Sequence, residues 1–151
     1  MKKFLFAAAL IAAVGVVPAV AEDAAPDDAI KYRQWTMSTV GNHMQSFVAI
    51  LQQKVPHSEA MAYHANALAD AASHAAPAFE QNTAGLGEEK TTAKPEIWDE
   101  DSDFFEKLAE FEEVTLALAE AAESGDMGAV GASLQKVGAS CKGCHDDYRS
   151  K

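Results

Sequence analysis

Two thiols and an imidazole lie within five residues near the C-terminus: Cys141, Lys142, Gly143, Cys144 and His145 spell C-x-x-C-H. In this pattern the thiols bond covalently to a haem and the next histidine binds its iron. Residues three apart share one face of a helix, so both sulfurs reach the two vinyl groups along one porphyrin edge. The adjacent imidazole can then turn beneath the ring. Competing chemistries need more than the chain offers. A zinc site requires two further ligands at similar spacing, yet there is no other Cys, and His43, His57, His64 and His74 are scattered. A thioredoxin-like dithiol requires a βαβ context, and no strand pattern occurs. The expectation is one haem c per chain, covalently attached, with Cys141 and Cys144 as anchors and His145 on the iron.

The stretch that carries the motif repeats apolar residues at helical spacing: Met127, Val130, Leu134, Val137, Cys141, Cys144 and Tyr148. The motif therefore continues a hydrophobic seam, which places the cofactor inside a bundle. Three more helices are expected ahead of it. The first, capped by Asp27 or Asp28, runs through Ile30, Arg33, Met37, Val40, Met44, Phe47 and Leu51 and ends at Lys54-Val55-Pro56. Arg33 is a charge on an otherwise apolar stripe. The second helix is expected from about Glu59 to Ala75, with Met61, Ala65, Leu68, Ala72 and Ala75 on one face of mostly small side chains. A long connection through Pro77, Gly85 and Gly87 leads to a turn at Pro95-Glu96-Ile97-Trp98. The third helix carries Phe104, Leu108, Phe111, Thr115, Leu118 and Ala122 inward, with acidic caps before it. Gly125 stops it and Asp126 caps the fourth, so these two must be antiparallel neighbours. The fold class is all-α, an antiparallel four-helix bundle.

Residues 1–21 have the form of a cleaved export signal: a basic start at Lys2 and Lys3, an apolar run from Phe4 to Val17, and Ala19-Val20-Ala21 before Glu22. The four-helix-bundle domain is then 22–151. The chain has 12 basic and 23 acidic residues, and loss of Lys2 and Lys3 leaves a mature charge of about −13. Such a surface argues against nucleic acid as a partner. With both cysteines in one motif, no disulfide framework remains.

These features together resemble the class II cytochromes c, the cytochrome c′ family, which carry C-x-x-C-H on the last helix. The resemblance rests on Tyr32-Arg33-Gln34, on Lys94-Pro95-Glu96-Ile97-Trp98 and on the run from Val137 to Arg149, and spans the mature chain. It implies Cys141 and Cys144 as thioether anchors, His145 as proximal iron ligand, and Arg33 with Gln34 on the propionate side. It implies export to the periplasm, where such haems are attached, and no membrane span after cleavage.

Met37 falls at the family's distal position, facing the iron opposite His145. Two readings follow from the resemblance. Met37 as a distal axial ligand gives a low-spin one-electron carrier, the function expected first, serving periplasmic redox partners. Met37 as a cap over an open site gives a five-coordinate, high-spin protein that binds nitric oxide or carbon monoxide. Met44, two turns on, is a minor alternative ligand. An enzyme such as a peroxidase is not expected, since no distal His–Arg pair is legible. A homodimer through the first two helices is compatible. Phe79 and Trp98 are expected to pack at the haem edge or core, and the four remaining histidines and Glu110, Glu112 and Glu113 at the surface. Lys142, Arg149 and Lys151 form a small basic island that could dock an acidic partner.

Overall fold

The computed structural model describes residues 23–151; the expected export signal lies outside the described residues. The helices are α1 (Pro26–Leu51), α2 (Met61–Ser73), α3 (Ala75–Phe79), α4 (Phe104–Ser124) and α5 (Met127–Tyr148). The four long ones form the expected bundle, and α3 is a short helical piece within the long connection. No strand occurs among the described residues, only a single antiparallel bridge between Ala93 and Arg149. Around it, Lys94 N–H donates to the Tyr148 carbonyl at 3.0 Å and Ser150 N–H to the Thr92 carbonyl at 2.8 Å. The C-terminus is thereby tied to the segment leading into α4.

Local chemistry accounts for the boundaries. Pro26 starts α1 at a position where its missing N–H costs nothing. The cap residue is Ala25, a correction to the expected Asp27 or Asp28. Asp27 instead reaches across to the long connection, accepting from the N–H groups of Glu88 and Glu89 at 2.7 and 2.8 Å. Gly87 permits this approach: its φ is +75°, and any Cβ there would collide with the Asp27 carboxylate.

α2 stops at Ser73, short of the expected Ala75. Pro77 cannot extend it, because its ring would clash with the Ser73 carbonyl, and the chain restarts after His74 as α3. The turn between α4 and α5 is as expected. Gly125 sits in the left-handed region at φ +72°, and Asp126 accepts from the N–H groups of Gly128 and Ala129 at 2.8 and 3.1 Å. Asp103 precedes α4 without a side-chain cap; its carboxylate pairs with Lys107 at 3.0 Å and accepts from the Tyr148 hydroxyl.

Packing proceeds around the ring from α1 to α2, α2 to α4 and α4 to α5. One core joins Val40 and Phe47 of α1, Ala65 and Leu68 of α2, Phe111 and Leu118 of α4, and Val130 and Val137 of α5. Burial of each large side chain here contributes about 1.5–3 kcal/mol. A second core, of Ala75, Phe79, Ile97, Phe104 and Leu108, lies at the end where α1 begins and α5 finishes. The pairing that would close the ring, α1 with α5, is not close to the same extent, so the bundle opens along that seam. Met127, expected inward, is 52% exposed; as the first residue of α5 it stands beyond the last core layer.

Candidate haem site

The last two turns of α5 carry Cys141 and Cys144 as free, half-buried thiols. Cys141 packs against the first core, and Cys144 against the second beside Tyr148. The motif thus continues the inner seam, as its spacing implied. Burial pushes both thiols up, Cys144 to about 11, so they stay protonated at neutral pH. This is not the electropositive setting of a reactive dithiol. No group of three or more His, Cys, Asp or Glu gathers among the described residues as a competing metal centre. His145 reaches solvent, and partial desolvation of its ring, followed by the nearby Arg149 charge, lowers its pKa. That favours the neutral imidazole which binds metals.

Arg33 enters from α1 and is only 2% exposed. One nitrogen, Nη2, donates to Thr83 Oγ1 at 2.8 Å. The guanidinium carbon lies 4.9 Å from the Phe79 ring centroid and 5.0 Å from that of Trp98. Trp98 is held in turn by its Nε1–H donating to the Phe79 carbonyl at 2.8 Å. Nε and Nη1 are buried with no partner. An unpaired buried guanidinium costs several kcal/mol, whereas a carboxylate there would satisfy both nitrogens at once. Among the described residues no carboxylate meets them. A haem propionate fits these two donors in charge and in hydrogen-bonding capacity.

Met37, one turn beyond Arg33, packs half-buried against the second core, the same cluster that Cys144 and Tyr148 touch. The structure thus brings Arg33, Met37, Cys141 and Cys144 to one end of the bundle, with His145 next in the chain. Gln34 stands apart: it is exposed, and its Nε2 donates to the Lys90 carbonyl at 2.7 Å. Lys142 of the basic island pairs with Asp146, which draws down that local positive charge. Two of the histidines expected at the surface, His43 and His64, are half-buried and meet each other. Thr83, the buried partner of Arg33, is silent in the sequence, because a threonine in a polar connection carries no periodic signal.

A helical bundle with paired thiols on its inner seam, a histidine beside them and an orphaned arginine opposite defines a c-type haem protein. The profile of the family described as Cytochrome C' matches residues 28–149, and the chain belongs to that family. It is 34% identical to cytochrome c' of Rhodospirillum rubrum over 99% of both chains. Against cytochrome c' of Alcaligenes xylosoxydans xylosoxydans the identity is 35%, covering 85% of this chain and 98% of the relative. Among solved structures, the nitric oxide complex of a cytochrome c prime variant from Alcaligenes xylosoxidans superposes with a TM-score of 0.74 at 32% identity. That match covers 86% of this chain and 99% of the other. Cytochrome c' from Rubrivivax gelatinosus gives 0.73 at 30% identity, covering 83% and 98%. The cofactor is covalently attached haem c, which the two cysteines fit.

Proposed function

We propose that this chain binds a diatomic gas, nitric oxide or carbon monoxide, on the haem face opposite His145, with Met37 covering that face. Of the two readings of Met37, the comparisons favour this one over the electron carrier that the sequence suggested first. The observation that carries it is the likeness over nearly the whole length to a cytochrome c prime solved with nitric oxide. When bound, the haem supplies the iron and its open coordination position. Cys141 and Cys144 anchor the ring, His145 occupies the proximal side, and Arg33 takes a propionate on its two free nitrogens. Gln34 acts on the propionate side indirectly, by holding the connection at Lys90 against α1. The protein has no reaction of its own in this reading.

Absorption spectra test the proposal. The expected result is a high-spin ferric spectrum, little changed in Met37→Ala, and a new Soret band when nitric oxide is added to the ferrous protein. A low-spin ferric spectrum with a near-infrared sulfur-to-iron band that vanishes in Met37→Ala would overturn it. That outcome would install the one-electron carrier, a reading supported by the packing of Met37 on the core that holds Cys144.

Export to the periplasm accompanies this reading and rests on the N-terminal signal pattern. No helix among the described residues is long and apolar enough to cross a membrane. A homodimer is part of the proposal too, supported by the exposed aromatic side chains of α1 and α2: Tyr32, Trp35 and Tyr63 are 53, 65 and 63% exposed. Sedimentation of the haem-loaded protein, with Trp35→Glu as the disrupting variant, measures it.

A further inference from the structure

Two ring nitrogens converge on the seam between α1 and α2, on residues outside the C-x-x-C-H motif. His43 of α1 and His64 of α2 bring their Nδ1 atoms to 3.2 Å. Their rings are tilted by 49° with centroids 5.4 Å apart, so they meet edge to edge and do not stack. Tyr63 packs edge-on against both, at 6.0 Å from His43 and 5.0 Å from His64. Both imidazoles are half-buried.

Two nitrogens bound to one zinc ion with tetrahedral geometry stand about 3.3 Å apart. A hydrogen bond between the same atoms requires one protonated and one bare nitrogen, and at 3.2 Å the pair also has the spacing of two ligands on one ion. We propose that His43 and His64 form a two-imidazole site for a divalent late first-row metal ion (zinc, copper or nickel), its remaining positions filled by water. Imidazole nitrogen suits these ions. Desolvation, and next the neighbouring His43, hold the His64 pKa below the ordinary imidazole value, keeping the ring in its metal-binding form. The acidic excess of the chain enriches cations at its surface. A bound ion would clamp α2 to the helix that carries Arg33 and Met37.

Calorimetric titration of the untagged, haem-loaded chain with zinc chloride tests the site. One ion per chain is expected, bound at least about tenfold more weakly by His43→Ala and by His64→Ala. His57→Ala and His74→Ala should bind like the parent. The haem spectrum and far-ultraviolet circular dichroism verify that each variant is folded, and His43→Gln provides a second, milder removal of the ligand. Copper(II) paramagnetic resonance should show two coupled nitrogens in the parent and one in each single variant. Half an ion per chain with the same variant pattern would keep both ligands and add those of a second copy. Absence of uptake of zinc, copper and nickel at millimolar metal would overturn the site, as would uptake indifferent to both His43 and His64.

Discussion

Arg33 Nη2 donates to Thr83 Oγ1 at 2.8 Å across fifty residues of chain, the one hydrogen bond this guanidinium makes among the described residues, and its residue is 2% exposed. The pair fixes the arginine between Phe79 and Trp98 with two nitrogens unspent. Burial lowers the Arg33 pKa, yet a guanidinium stays charged across the physiological range, and among the described residues no anion meets its two unpaired nitrogens.

Removing Arg33 should therefore destabilise the haem-loaded protein. Arg33→Leu leaves a buried carboxylate of the cofactor uncompensated, at a cost of about 3 kcal/mol. Guanidinium unfolding followed at the Soret band measures the loss. A variant as stable as the parent would show that the propionate lies elsewhere.

Each of the two thiols should contribute one thioether to the haem. Cys141→Ser or Cys144→Ser should each retain one thioether, with the pyridine haemochrome band shifted to the red because one vinyl remains conjugated. The double variant should lose haem staining on a denaturing gel. A double variant that still stained would move the attachment off this motif.

Asp27 sets an acid dependence. Its pKa is lowered first by the hydrogen bonds from the backbone N–H of Glu89 and Glu88. A carboxyl depressed in the folded state adds stability that is complete above the unfolded value near 3.9 and disappears as pH falls through the folded value. Urea midpoints of Asp27→Ala should lie below those of the parent near neutrality, and the gap should close below about pH 4. A gap independent of pH would assign the effect to packing alone.

Gly87→Ala should be costly despite the exposed position. It places a side chain at φ +75° and drives it into the Asp27 carboxylate, a strain of about 1–3 kcal/mol. Thermal unfolding should show a midpoint lowered by several degrees, whereas Gly138→Ala, with open space around it, should stabilise α5 slightly by helix propensity.

Much was legible in the amino-acid order because it depends on short-range chemistry. The three-residue spacing of Cys141 and Cys144, the glycine stop at Gly125 with its Asp126 cap, and the apolar period of each helix are local facts. They determined four helices and a haem motif on an inner seam. Even so, Asp27 left its expected cap position, because two backbone N–H groups sixty residues away offered better partners.

Tertiary structure decided what depends on distance in space. The opening between α1 and α5, the burial of Arg33 against Thr83, and the meeting of His43 with His64 join residues whose local patterns are silent about each other. Sequence periodicity states which face of a helix is apolar. It does not state how far two apolar faces approach, and that separation leaves α1 and α5 apart along one seam and closes another on a pair of imidazoles.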